Sequence, residues 1–509
     1  MWGAMFLQFL TSVLGRKWTF ACNKIMTHIP VHSTVSSMHL MPAQSALLCA
    51  STFYGIVSRS FPLTGRILPG YLNPTGPHRG IGLGNPNVEF APNVSTCMLT
   101  SEGETAKVLW GIRNGQVAVT VANKAIDPSR RDVNFQLTRC LIDNEHEGPV
   151  WDAIWDGIDL AVTGGADGRV KLWDTRSMRC LWSSEQQIHD HVIDPVVKVT
   201  AAVSTKGIIA GCTLNGSVII FNGFEQIINS NPKLHGEWDA LEGVYSSVIS
   251  CSVDSVISRE ERTVTCLCID NNASPMQPTV LVAYEGNTHF HKVFLDVGSD
   301  CVSSLRIQAF GDESFGVVSC VCPFFATKSD HHSFVLVGDR MGCISVYDWQ
   351  GKASHAKTAV LPVRRFEAHV NGSAVTAIHW DGTTLITGSA RGETHVFDGL
   401  TFEELQSFPA PIPRIWGRGY VPPIDPRGDG RVRQILVSPD RDVLIVNVGS
   451  AVLAYKVGPI GKDISDGVTV TGRRRLHLGG DVRKKKNVRG KWCGEFFVAA
   501  SFPYSGGSS

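Results

Sequence analysis

Cysteine and histidine are the residues with the widest chemical range here, 14 and 17 of them in 509. Cys266 and Cys268, and again Cys320 and Cys322, are separated by one residue. On an extended strand that spacing puts both thiols on one face, where they could grip a soft metal. The Cys-x-x-Cys pairs from which zinc sites are usually built do not occur. His289 and His291 also alternate, inside an apolar run, and His331-His332 sits in a polar stretch. Gly80, Gly82 and Gly84 suggest a phosphate loop, but there is no G-x-G-x-x-G leading into a helix and no Lys-Ser/Thr. No G-x-S-x-G nucleophile motif is present. These residues point away from catalysis. No enzyme activity, no metal and no cofactor are expected, and both cysteine pairs read as strand-core packing.

Short strands must position these residues. Glu147 to Asp174, EGPVWDAIWDGIDLAVTGGADGRVKLWD, reads as two apolar strands, a tight turn at Asp167-Gly168, a third strand and a closing Trp173-Asp174 pair. Glu367 to Asp398 repeats the layout. His369 aligns with His146, Thr387 with Thr163, and Phe397-Asp398 with Trp173-Asp174. Weaker copies place strands near 94–123, 195–224, 262–295, 316–350 and 432–458, beside the two clear ones near 148–181 and 372–408. The 50 glycines and 25 prolines suit many short strands and turns.

The Trp-Asp endings and the repeat length resemble the WD-repeat β-propeller family. The resemblance implies an all-β, seven-bladed WD-repeat propeller over residues 88–458. An irregular, partly helical N-terminal extension (1–87) would precede it and a basic C-terminal tail (459–509) would follow. It also implies a structural hydrogen-bond network within a blade, formed by His146, Thr163, Asp167, Trp173 and Asp174. In the second copy His369, Thr387 and Asp398 match, but Arg391 replaces the turn Asp and Phe397 has no indole donor, so a complete network is not expected there. Closure of the ring needs a strand from one terminus to complete the last blade. Val88-Glu89-Phe90 is the segment expected to supply it.

Net charge is +1. Arg473 to Lys491 carries nine basic residues and one acidic, a local +8, which leaves about −7 elsewhere. The cluster Arg473, Arg474, Arg475, Arg483, Lys484, Lys485 and Lys486 resembles a nuclear import signal, and it could equally be a solvated tail or bind RNA. A weakly acidic body does not suit a dedicated nucleic-acid binder. The cysteines, under 3% of residues, are too sparse for a disulfide scaffold, and a cytoplasmic and/or nuclear location is expected. The apolar start from Trp2 to Leu10 is too short to span a bilayer, and no membrane association is expected.

Proteins of the family commonly bind partners on the face where each innermost strand begins. By alignment to Val150 that face would carry Trp151, Thr200, Thr265, Ser319 and Thr376, with Ala166 and Ala390 nearby. Trp151 is either an exposed anchor or an inter-blade packing residue. A protein-interaction scaffold follows most directly. A second possibility is the substrate receptor of a cullin-based ubiquitin ligase. The N-terminal aromatic segment around Trp18-Thr19-Phe20 would then be the end of a truncated F-box-like module that binds the ligase adaptor. A third is a nuclear RNA-associated propeller acting through the tail.

Overall fold

The computed structural model describes residues 16–19, 22–31, 33–41, 46–74, 93–125, 135–224, 249–253, 263–273, 277–297, 303–326, 332–353, 359–410 and 430–457. Short antiparallel strands assemble there into eight sheets built on four strands each, with one further two-residue hairpin. Helix is confined to single turns such as Arg16–Thr19 and Val203–Lys206. The innermost strands begin at Ser37, Val94, Val150, Val196, Val264, Val318, Val375 and Val432, heading blades 1 to 8 in that order. Each touches the innermost strand of the next blade, and that of blade 8 returns to that of blade 1. The architecture is a closed β-propeller.

Burial explains the strand sequences. The second strand of a blade is covered by a neighbouring blade on both faces. Ala46–Ser51, Ile208–Thr213, Thr279–Tyr284, Thr384–Ser389 and Val443–Val448 are therefore buried along their whole length. Such strands read as continuous runs of small and apolar residues rather than as alternation. Outer strands such as Arg179–Ser183 and Glu404–Phe408 are partly exposed and mixed in character.

Eight blades, not seven, make the ring. The additional one is blade 1, formed by Ser37–Met41, Ala46–Ser51, Ile56–Phe61 and Arg66–Ile67, inside the segment expected to lie outside the propeller. Its third strand hid the pattern because it buries Ser58, Arg59 and Ser60. Arg59 reads as a surface residue, yet its guanidinium donates to the carbonyls of Ala125, Pro69 and Gly70, which satisfies a buried charge carrier. No Trp-Asp ending marks the blade. Nor is a helical N-terminal extension found among the described residues, where Arg16–Thr19 is the sole helical turn before blade 1.

The closing strand also differs from expectation. Cys22–His28 pairs antiparallel with Ala451–Val457, from Lys24 opposite Lys456 to His28 opposite Val452, and is the fourth strand of blade 8. Val88-Glu89-Phe90 lies outside the described residues. The two ends of the chain thus share one sheet, and neither half of blade 8 is a complete sheet without the other. Polar bonds sew blade 8 to blade 1. Gln434 accepts from the Met38 amide at 2.7 Å and donates to the Met38 carbonyl at 2.9 Å, while Asn447 donates to the Val35 carbonyl at 2.9 Å. Trp18 is buried in the cluster that holds Phe408 and Tyr455, so the segment before the closing strand also packs on the ring.

Candidate functional site

Blade 3 contains a buried chain of side-chain hydrogen bonds. Its members come from the loop entering the blade (His146), the second strand (Thr163), the following turn (Asp167) and the third strand (Trp173). Asp167 only accepts, so the His146 Nδ1–H donates to it, at 2.9 Å. His146 Nε2 then accepts from the Thr163 hydroxyl at 2.8 Å, and Thr163 accepts from the Trp173 indole N–H at 2.8 Å. The order of donors is fixed from indole to carboxylate. Burial pushes Asp167 up, but the bonds from His146 and from the Arg169 and Glu147 amides outweigh it and leave the carboxyl below its ordinary range. Burial lowers His146 more than Asp167 raises it, so the ring is held neutral. Asp174 sits outside this chain. Its carboxylate accepts from the Arg176 and Ser177 amides and so fixes the turn to the outer strand. Asp398 does the same in blade 7 for the Leu400 and Thr401 amides.

Gly165 is required by this geometry. A Cβ there would lie 2.3 Å from His146 Nδ1 and 2.6 Å from Asp167 Oδ1. The equivalent residue in blade 7 is Ser389, whose hydroxyl oxygen accepts from the Arg391 and Glu393 amides at 3.2 and 3.1 Å. Ser389 thus takes over the turn-holding part of Asp167's role and leaves the histidine without its carboxylate. His369 Nε2 lies 3.2 Å from Thr387 Oγ1, while buried His369 Nδ1 has no partner. Thr163→Val should therefore cost about 2–4 kcal/mol, because it strands an indole N–H and an imidazole nitrogen in the core. Thr387→Val should cost about 1 kcal/mol. Urea unfolding of both variants checks this, and equal losses would contradict the difference between the blades.

The face where the inner strands begin was expected to show small hydroxyl residues around one tryptophan. In seven blades the first pairing of that strand is followed by a bulge, as at Val150/Asp152 and Val375/Ala377. The bulged hydroxyls of Ser95, Thr265, Ser319 and Thr376 donate to second-strand carbonyls at 3.0–3.3 Å. Ser36 does likewise toward Ala50 at 3.1 Å. Ser319 and Thr376 also reach the next blade, at the Val375 and Val432 carbonyls. These side chains hold the ring together. Thr200 does not belong to the set. It is buried in mid-strand opposite Ala210, and the bulge in its blade falls at Val197, between Val196 and Lys198. Trp151, Val197 and Arg433 are the remaining bulge residues. Trp151 is 44% exposed. Ala166 is partly buried and Ala390 exposed, on the corresponding turns of blades 3 and 7.

Seven large exposed apolar side chains lie on the same face from blade 2 to blade 4, while blades 6 and 7 add only Met341 and Val370 there. The seven are Leu141 and Ile142 before blade 3, Trp151 within it, Ile188, Val192 and Ile193 before blade 4, and Leu214 in the turn between that blade's second and third strands. The 187–194 segment is hydrogen-bonded to the turns on either side of it, at Gly168 and Asn215. The Gln187 amide donates to the Gly168 carbonyl, Asp194 to the Gln187 carbonyl, and Asn215 to the Asp194 carboxylate. Ile188-His189 and Val192-Ile193 pair as a hairpin whose turn residues Asp190 and His191 both have positive φ, 50° and 66°. Neither is glycine, so the turn carries local strain. Sequence reasoning missed this hairpin because it contains no Asn-Gly or Asp-Gly signal.

The thiol pairs are partly buried and pack against core clusters rather than within them. Cys266 and Cys268 approach to 3.7 Å between sulfurs, and Cys320 donates to the Val375 carbonyl at 3.3 Å. Burial pushes the Cys320 thiol up to about 12. His291 is buried and His332 exposed, while His331 and the basic tail lie outside the described residues. Among the described residues no helix is long and apolar enough to cross a membrane.

No protein-family model matches the chain, and no curated protein does. Among solved structures, the crystal structure of the computationally designed Ika8 protein is similar at a TM-score of 0.49 and 15% identity. That match covers 84% of this chain and 97% of the designed one.

Proposed function

We propose that the chain is a non-catalytic protein-interaction scaffold of the WD-repeat kind, acting in the cytoplasm and/or nucleus. It binds a protein partner across blades 2 to 4. One observation carries this reading: the contiguous apolar loops around Trp151 and the strained 188–193 hairpin. Exposed aliphatic side chains on a strained turn do nothing for the stability of the free chain, and a large exposed apolar patch is the usual mark of an interface. A tryptophan amid aliphatic neighbours supplies the buried centre that such interfaces depend on. The ubiquitin-ligase reading leaned on Trp18, whose ring is buried in the propeller, and the RNA reading on a tail outside the described residues. No observation favours either.

Affinity purification of the parent chain and of Trp151→Ala, followed by mass spectrometry, tests the scaffold. Loss of the retained proteins is expected, with a melting temperature within about 2 °C of the parent, since the side chain is half in water. A lowered melt with the same retained proteins would assign Trp151 to inter-blade packing instead.

A further inference from the structure

Blade 7 departs from blade 3 in a concerted way. Asp167, Arg169 and Lys171 of blade 3 are matched by Arg391, Glu393 and His395. In blade 3 the basic pair is used on backbone. Arg169 donates to the Ser184 carbonyl, and Lys171 to those of Asn144 and Glu145. In blade 7 those positions instead bring a carboxylate and a second imidazole toward the histidine that has lost its aspartate. We propose that His369, Glu393 and His395 form a binding site for a divalent transition-metal ion, with zinc the best match.

The donors are of the right kind and already converge. One nitrogen from each histidine and one Glu393 oxygen lie within 4.8 Å of one another, and the two imidazole rings are 4.6 Å apart between centroids. Bond lengths of about 2.0–2.2 Å need donors a little over 3 Å apart. Side-chain rotation of partly exposed Glu393 and His395 can close that gap. His369 is 1% exposed, and its Nδ1 is buried without a partner, so a ready ligand atom is orphaned there. With its Nε2–H donated to Thr387, Nδ1 carries the free lone pair. His395 Nδ1, 3.3 Å from Glu404 Oε1, is also buried without a hydrogen-bond partner, so that ring too has an unused nitrogen for the ion. The Thr387 hydroxyl behind the His369 imidazole is the kind of outer-shell partner that orients a metal-bound histidine. Arg391, the nearest cation in sequence, is exposed on the turn. Two nitrogens and one oxygen leave a fourth position for water or a partner's side chain. The sequence alone gave no such expectation, because the ligands follow neither Cys-x-x-Cys nor His-x-x-x-His spacing.

Titration of the untagged full chain with Co2+, followed by visible absorption, and competition with Zn2+ tests the proposal. One Co2+ should bind per chain and be displaced by Zn2+. Glu393→Gln and His395→Gln should each weaken binding by more than about tenfold. The double variant Ser389→Gly/Arg391→Asp restores the blade 3 arrangement by giving His369 Nδ1 a carboxylate. It should lose the metal while remaining folded by circular dichroism. Absence of Co2+ binding by the parent chain, or equal affinity in the parent and all three variants, would overturn the site.

Discussion

A chain that starts after residue 30 should melt about 10 °C below the full chain, or fail to stay monomeric. Such a truncation removes the fourth strand of blade 8 and the buried Trp18. The Ala451–Val457 strand would then lose its pairing to Cys22–His28 and present an open edge, which invites association with other chains. The seam to blade 1 would have to survive on the Gln434, Asn447 and backbone bonds alone. Deleting residues 85–93 should have a much smaller effect, because closure is already supplied by Cys22–His28. Differential scanning calorimetry of both deletions decides the matter. A normal melt for the N-terminal truncation would contradict the closure described.

Stability should fall as pH drops from about 7 to about 4, with three buried histidines as main contributors. Burial lowers His28, His291 and His369 from 6.5 to about 4. Their folded values lie below the unfolded one, so the unfolded chain takes up protons first. The stability they confer is complete above 6.5 and is lost as pH falls toward the folded values. At about pH 5 each loss amounts to roughly 2 kcal/mol at most. His39, His146 and His379, lowered by burial, act in the same direction. Asp152 and Asp156, raised by burial, oppose it, since they bind protons more tightly when folded. Six histidines outweigh two carboxyls over most of the range. Urea midpoints at pH 7 and pH 5 should therefore differ, and His291→Phe should flatten the profile. A midpoint independent of pH would contradict this. His28 is in the closing strand and contacts Ser60 of blade 1 at 3.1 Å, so hydrogen exchange should rise first at that seam.

The propeller was legible wherever local chemistry repeats. Thr163, Asp167 and Trp173 stand at spacings that a hydrogen-bonded blade requires, and Asp167-Gly168 announces its turn, where Gly168 has φ of 71°. Blade 1 was illegible because Arg59 is polar in type but buried by three carbonyls. The closing strand was illegible because pairing between residues more than 400 positions apart leaves no local pattern. Thr200 was misplaced for a similar reason: a bulge shifts the register, and apolar alternation continues smoothly through it. The glutamate and second histidine of blade 7 became visible only by superposing two blades, which shows the positions of Arg169 and Lys171 changed together. The hydroxyl residues of the inner strands were legible as a set, but their hydrogen bonds to backbone were not.

The scaffold account is tested most directly by site-specific photocrosslinking in the cells the protein comes from. A photoreactive amino acid is placed at Ile188, on the hairpin before blade 4, or at Leu400, on the opposite face in blade 7. A defined protein crosslinked from Ile188 and absent from Leu400 is the predicted result. The same products from both positions, or none from Ile188 with the propeller folded, would contradict a partner bound across blades 2 to 4.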